Sequence, residues 1–170
     1  MVTVIIPGFS AKNKEWADEA AKSLNTGGTI RPLYWDHWTD PNAKFSAAEK
    51  ARLVTDLAEN EQINIVAKSI GTLVASYAIL KNPVKIRKVI FCGIPFNDIS
   101  EEDKEVIKEA MKMIPSVSII CFQNEEDPHG GFDQLKMLLS GFGSSIEAIS
   151  EPAENHEYPY YQEFRSFLLG

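Results

Sequence analysis

Runs of β-type residues alternate with helical patterns along the whole chain, and this alternation constrains the fold more than any other feature. Several runs are apolar on both faces, as strands are in a parallel sheet covered by helices on both sides. The pattern predicts an α/β three-layer sandwich around a mainly parallel six-stranded sheet, with residues 1–170 forming a single domain. The predicted strands are 2–6, 29–34, 63–67, 88–92, 117–122 and 145–149, and the predicted helices are 13–24, 46–59, 70–81, 101–112, 131–140 and 159–169.

Three expectations follow for the arrangement of these elements. Pro32 has no N–H to donate to a neighbouring strand, so the second strand is expected at an edge of the sheet. Right-handed crossovers are expected to place the helices alternately on the two faces. Ligands of such sheets bind beyond the carboxyl ends of the strands, near the switch in strand order. The loops that follow the strands are therefore where a site is expected.

Composition narrows the classes of function. A net charge of -7 argues against nucleic-acid binding, which relies on Lys and Arg to neutralise phosphates, and against an anionic membrane surface. The sequence shows no basic leader and no apolar stretch near the ~20 residues that span a bilayer. Cys92 and Cys121 end predicted buried strands, where reduced thiols are favoured over a disulfide. We expect a cytoplasmic protein that is a monomer or a weak homodimer.

The segment INIVAKSIGTLVASYAIL, residues 63–80, changes from a strand pattern to a helical one at Ser69. A serine at this position is often only a helix N-cap. Here, however, Ala67 and Gly71 supply the small residues that a strained nucleophile elbow needs two places before and after its serine. This is the G-x-S-x-G pattern with alanine in the first place. Ser69 is therefore a candidate nucleophile, and the N–H of Ile70 is a candidate oxyanion donor.

A serine nucleophile needs a base to take its proton and an acid to orient that base. His156 follows the last predicted strand, in EPAENHEY. Asp127 follows the fifth strand in QNEEDPHGG, where Pro128 is expected to stiffen the turn. Glu125 and Glu126 precede it directly, so Glu126 is kept as the alternate acid. The chain order Ser, Asp, His and the loop positions favour a catalytic triad over unrelated loop residues.

The loop after the first strand is expected to supply the second oxyanion donor. In IIPGFS, the N–H of Phe9 is preferred and that of Ser10 is next, although Pro7-Gly8 is also compatible with a simple turn. Phe96 and Phe132 are expected to flank an open site together with Phe9, provided that their loops fold inward.

The remaining histidines have less specific surroundings. His37 lies in YWDHWTDP, where packing of Trp35 and Trp38 on a neighbouring helix is favoured over a wall of the substrate site. His129 is interpreted as part of a surface turn, and Cys92 as a core residue. No His/Cys set has the spacing of metal ligands, and neither a metal nor a cofactor is expected.

These residues together resemble the α/β-hydrolase superfamily, and within it the small lidless serine hydrolases of the YdeN and retinoblastoma-binding-protein-9 type. The motifs that carry the resemblance are VIIPGFS followed by Trp16, the elbow VAKSIGTLVA, the EDP turn and ENHEY. The sequence departs from the family pattern at Ala67 and in having Pro-Gly for His-Gly. The resemblance implies strand order 2-1-3-4-5-6 without a cap domain. It also implies a nucleophile, acid and base at Ser69, Asp127 and His156, with oxyanion donors at Phe9 and Ile70.

The function expected from the triad and the resemblance is that of a serine hydrolase. It would cleave a small ester, thioester or amide through an acyl-enzyme. Two alternatives stay open. One is a hydrolase-like scaffold that binds a protein or small molecule without turnover. The other is a doubly wound nucleotide- or flavin-binding domain, for which PGFSAKNKEW is a poor glycine-rich loop.

Overall fold

The computed structural model describes residues 1–58, 61–142 and 146–170, and in this part of the chain strands and helices alternate. The strands are β1 (Val2–Ile6), β2 (Thr29–Pro32), β3 (Ile63–Lys68), β4 (Ile86–Cys92), β5 (Ile119–Phe122) and β6 (Glu147–Ile149). The α-helices are α1 (Asn13–Ser23), α2 (Ala47–Leu57), α3 (Ile70–Lys81), α4 (Glu101–Lys112), α5 (Phe132–Ser140) and α6 (Tyr161–Leu169). Short 3-10 turns cover Asp36–Trp38, Pro83–Lys85 and Ser116–Ser118.

The predicted boundaries differ from the observed ones at a few ends. The fifth strand begins at Ile119 rather than at 117, because Ser116–Ser118 form a 3-10 turn. Residue 59 of the predicted second helix and residue 145 of the predicted sixth strand lie outside the described residues. No helix in the described ranges is both long enough and apolar enough to cross a lipid bilayer.

All six strands are parallel and form one sheet in the order β2-β1-β3-β4-β5-β6. This confirms the α/β class and the strand order implied by the resemblance. β2 lies at the edge, as Pro32 predicted, and Pro32 pairs there with Ile5 of β1. Between β4 and β5 the chain forms α4 and a 3-10 turn and adds no cap domain.

The helices do not alternate between the two faces of the sheet, so that expectation was wrong. Helices α2, α3, α4 and α5 pack on one face, and α1 and α6 pack on the other. A right-handed crossover places its helix on a face set by the direction in which the chain moves across the sheet. This chain moves one way from β1 to β2 and the opposite way from β2 onward, so the face changes at that reversal.

Successive residues of a strand pack alternately into two separate cores, one on each face of the sheet. In β4, for example, Val89 and Phe91 pack under the four-helix face, whereas Ile90 and Cys92 pack under α1 and α6. Both cysteines of the chain are buried free thiols. Burial raises the pKa of Cys92 well above its ordinary value and that of Cys121 to about 12. Neither thiol is therefore a nucleophile at neutral pH.

Candidate active site

The predicted site residues lie beyond the carboxyl ends of the strands, near the neighbouring strands β1 and β3. From β1 the chain crosses to β2 on one side, and from β3 it crosses to β4 on the other. The loops after β1 and β3 therefore separate at this point and leave a crevice. Phe9 is on the first of these loops and Ser69 is on the second.

Ser69 has a strained backbone between β3 and α3. Its φ of 56° and ψ of -131° place it in a region that residues other than glycine rarely occupy. In the described part of the chain, Asn25 is the only other non-glycine residue with a positive φ. The Ser69 N–H donates to the carbonyl of Cys92 at 2.9 Å, and the Ser69 carbonyl accepts from the Thr72 hydroxyl at 2.7 Å. These bonds hold the turn in the conformation expected of a nucleophile elbow.

The small residues around Ser69 are required by close packing. A Cβ atom on Gly71 would lie 2.4 Å from the carbonyl oxygen of Ile6 and 2.7 Å from that of Pro7. No side chain is compatible with those distances. Ala67, two residues before the serine, is completely buried. The departure from glycine at this position therefore leaves the turn intact.

His156 and Asp127 form a short, buried pair. The His156 Nδ1 lies 2.6 Å from the Asp127 Oδ2, the Asp127 side chain is fully buried, and the imidazole is 17% exposed. The same Oδ2 accepts from the Tyr158 hydroxyl at 2.5 Å, and Oδ1 accepts from the His129 backbone N–H at 2.8 Å. Glu126, the alternate acid, is exposed. The carboxylate that contacts His156 is therefore that of Asp127.

The surroundings of Asp127 keep it ionised. Burial by itself favours the neutral carboxyl group, but the hydrogen bonds from His156 and Tyr158 outweigh burial and hold the pKa of Asp127 below its ordinary value. For Tyr158, burial and the hydrogen bond to Asp127 both raise the pKa. Tyr158 therefore keeps its proton and acts as a donor to the carboxylate.

The loop that carries His156 is tied to the elbow and to α1. Trp16 donates its Nε1–H to the Tyr158 carbonyl at 2.9 Å. The Lys68 ammonium group, although buried, lies 3.3 Å from the Glu157 carboxylate. Lys68 directly precedes Ser69, and Glu157 directly follows His156. This ion pair therefore links the two segments that carry the candidate nucleophile and base.

Four of the five predicted site residues line one cavity of about 470 Å³. The Nε2 of His156 is buried and has no hydrogen-bond partner among the described residues, including the Ser69 hydroxyl. Hydrogen bonds between a nucleophile and its base are often long before substrate binds. The fifth residue, Asp127, lies behind His156. The lining residues are Phe9, Ser10, Asn13, Ser69, Ile70, Pro95, Asp98, His129 and His156.

The two predicted oxyanion donors flank this cavity. Ile70 is the first residue of α3, and the N–H groups of a helix's first turn have no partner inside the helix. Neither the Ile70 N–H nor the Phe9 N–H has an acceptor within the described ranges. We therefore expect both groups to be available as hydrogen-bond donors beside the cavity that contains Ser69.

Three ring N–H groups hold the loop that carries Phe9, a role that was not predicted from the sequence. Trp35 donates to the Gly8 carbonyl at 3.0 Å. Trp38 and His37 both contact the Phe9 carbonyl, at 2.7 Å and 2.8 Å. Because a trans peptide points its C=O and the next N–H in opposite directions, these bonds also fix the N–H of Phe9 and of the following residue. The signal was three ring N–H donors within the four residues WDHW.

The three phenylalanines that were expected to flank the site differ in where their side chains lie. Phe9 is 55% exposed, lines the cavity and stacks on His37 with ring centroids 4.5 Å apart. Phe96 is buried in the core, where its ring lies against Gly130. Phe132 packs against the same core as the first residue of α5. The loops of Phe96 and Phe132 thus turn these side chains away from the site.

Comparisons with known proteins agree with this topology. No family model and no curated protein matches the chain. A serine hydrolase homologue from Coxiella burnetii matches with a TM-score of 0.73 at 16% identity, covering 99% of this chain and 83% of that one. A serine hydrolase without a lid from Xanthomonas campestris matches with a TM-score of 0.71 at 13% identity, covering 98% and 78%. A YdeN-like hydrolase from Pectobacterium atrosepticum gives 0.67 at 14% identity, covering 98% and 89%. At these identities the likeness shows the fold alone.

Proposed function

We propose that this chain, which has the fold of the lidless α/β serine hydrolases, hydrolyses a small ester, thioester or amide through an acyl-enzyme on Ser69. One observation carries the proposal. The His156 ring has Nδ1 on the buried carboxylate of Asp127 and an unpartnered Nε2, and it lines the same cavity as the strained Ser69.

In the first half of the proposed reaction, the Ser69 Oγ attacks the carbonyl carbon while the His156 Nε2 takes the hydroxyl proton. The negative charge that develops on the carbonyl oxygen is bound by the N–H groups of Phe9 and Ile70. His156 then gives its proton to the leaving group as the bond to the carbonyl carbon breaks. Asp127 stays ionised throughout and stabilises the imidazolium.

In the second half, water attacks the acyl-enzyme and His156 takes a proton from it. The bond from the acyl carbon to Ser69 breaks, and the proton returns to the serine oxygen. The product acid leaves and the free enzyme is restored. Every proton transfer in this cycle uses groups of this chain, the substrate and water.

The cavity has room for a small ester. Its volume is about 470 Å³, and Phe9, Ile70 and Pro95 form apolar walls. Short acyl chains such as butyryl fit within such a space, and a panel of chromogenic esters of increasing chain length would measure the preference.

Labelling with a fluorophosphonate probe tests the proposal, because the probe forms a covalent bond only with an activated serine. The wild-type protein should label, and Ser69→Ala should not. Ser140→Ala removes an exposed serine on α5 and should label like the wild type. Folded wild-type protein that never labels would instead support a scaffold that binds without turnover.

A further inference from the structure

A second histidine–carboxylate pair lies beside the first and has no role in the proposed reaction. The His129 Nδ1 is 2.5 Å from the Asp98 Oδ2. Both residues line the cavity that contains Ser69. The His129 ring centroid lies 4.4 Å from that of His156, with the ring planes at 52°. His129, which was expected from the sequence to lie in a surface turn, therefore also lines the site.

Hydrogen bonds from two loops hold His129 in place. Its backbone N–H donates to Asp127 at 2.8 Å, and its carbonyl accepts from the Asn97 N–H at 2.9 Å. The Asn97 side chain donates in turn to the Pro128 carbonyl at 3.1 Å. The Asp98 carboxylate holds the ring itself. A ring fixed in this way is suited to select among substrates, because it loses little freedom when it forms a further bond.

The pairing determines which hydrogen bond the ring can offer. An ionised carboxylate only accepts, so the His129 Nδ1 carries the proton that is shared with Asp98. In the neutral ring, Nε2 is then an acceptor. Among the described residues, those that line the cavity include no lysine or arginine. This site is therefore matched to a hydrogen-bond donor rather than to an anion.

The position of the pair indicates which part of the substrate meets it. In the proposed reaction His156 protonates the leaving group, so the leaving oxygen lies next to the His156 ring. Atoms one or two bonds beyond that oxygen then approach His129, the neighbouring ring. The acyl chain extends from the carbonyl carbon in another direction and meets the apolar walls.

We propose that His129, oriented by Asp98, determines specificity by accepting a hydrogen bond from a hydroxyl group on the leaving alcohol. The substrate class is then a short-chain monoester of a diol or polyol. This inference rests on the proposed function, and its test separates the two.

The test uses butyrate esters in matched pairs at pH 8, where free imidazole is neutral. The 2-hydroxyethyl and propyl esters differ by a hydroxyl in place of a methyl group. The 2-methoxyethyl and butyl esters form a second pair in which the added oxygen only accepts. Each kcat/KM is divided by the rate of hydroxide hydrolysis to remove differences in intrinsic reactivity. We expect the wild type to prefer the 2-hydroxyethyl over the propyl ester by roughly fivefold to tenfold, as for one hydrogen bond, with no preference in the second pair.

Variants of His129 and Asp98 test whether this preference depends on the pair. His129→Phe should reduce the ratio to about one while keeping the backbone bond to Asp127, and His129→Gln should retain part of it through its amide oxygen. Asp98→Asn should lower the ratio, because an amide can donate to Nδ1 as well as accept from it and therefore no longer holds the ring proton on Nδ1. The control Asp133→Asn, which changes an exposed carboxylate on α5, should keep the wild-type ratio.

Equal rates within the first pair for the wild type, or a preference that survives in His129→Phe, would overturn the inference. A wild type that hydrolyses none of the esters overturns it as well. Fluorophosphonate labelling then distinguishes failure of this inference from failure of the proposed function. Labelled protein leaves the proposed function standing without this substrate class, whereas unlabelled protein removes both.

Discussion

The two histidine–carboxylate pairs at the site are nearly identical in length and very different in burial. The His156–Asp127 distance is 2.6 Å and the His129–Asp98 distance is 2.5 Å. The Asp127 side chain is fully buried, whereas that of Asp98 is 53% exposed. The short distances alone would give the two pairs equal importance. Because their surroundings differ, we expect the two pairs to have different tasks.

Burial determines what each pair contributes. A buried carboxylate has lost its water and depends on its protein partners, so removing one partner is costly. Asp127 accordingly accepts from three donors, those of His156, Tyr158 and the His129 backbone. Water can replace a partner of the exposed Asp98, and an exposed ion pair typically contributes about 1 kcal/mol or less. The first pair is suited to proton transfer and the second to recognition.

The largest expected difference is in catalysis. Asp127→Asn should lower kcat for a propyl ester by about 10³- to 10⁴-fold, because the amide no longer stabilises the imidazolium or selects its tautomer. Asp98→Asn should lower it by about threefold at most, since that ester offers no hydroxyl to His129. Steady-state kinetics on both variants measure the two effects. Equal losses would contradict the division of tasks between the pairs.

The next largest effect is a loss of stability, expected when the space beside the buried His156–Asp127 pair is filled. Gly93 has a φ of +58°, and a Cβ there would lie 2.4 Å from the Tyr158 ring and 2.9 Å from the His156 ring. Gly93→Ala should destabilise the fold by about 3 kcal/mol or more through strain and overpacking. Gly27→Ala is the control, since Gly27 has a φ of +75° but open space around it, and about 1 kcal/mol is expected. Urea unfolding compares the two, and similar losses would show that the packing beside His156 is not tight.

The sequence predicted the framework of the fold because strand and helix periodicities are local properties. Those periodicities do not record the direction in which the chain crosses the sheet, so they missed the placement of four helices on one face. Ser69, Asp127 and His156 could be named as candidates from the sequence because their chain order and loop positions match a known pattern of nucleophile, acid and base. The contact of Asp98 with His129 was not foreseen, because it joins loops that follow two different strands. The three ring N–H donors of WDHW were a local signal, but that signal does not show which backbone carbonyls they reach.

A smaller effect is expected when one of the donors to Asp127 is removed. Tyr158→Phe deletes the hydroxyl that donates to Asp127 and that accepts from the Asn124 N–H at 3.0 Å. The buried N–H is left unpaired, which costs about 1–3 kcal/mol of unfolding free energy, and the pKa of Asp127 should rise. Tyr161→Phe is the matched control, because the Tyr161 hydroxyl contacts Glu19 near the surface. The unfolding free energy of Tyr161→Phe should lie within about 0.5 kcal/mol of the wild-type value. A comparable loss of stability in both variants would contradict a special role for Tyr158.

The pH dependence of stability tests the same difference without a measurement of activity. Because the pKa of Asp127 is lowered in the folded protein, this carboxylate stabilises the fold above its unfolded pKa of about 4. That contribution is lost as the pH falls through the folded value. Urea unfolding at pH 7, 5, 4 and 3 should therefore show a smaller decline for Asp127→Asn than for the wild type. At pH 7, Asp98→Asn should differ from the wild type by less than about 1 kcal/mol. An acid-induced decline that is as steep in Asp127→Asn as in the wild type would show that other carboxylates carry it, and burial would then not distinguish the two pairs.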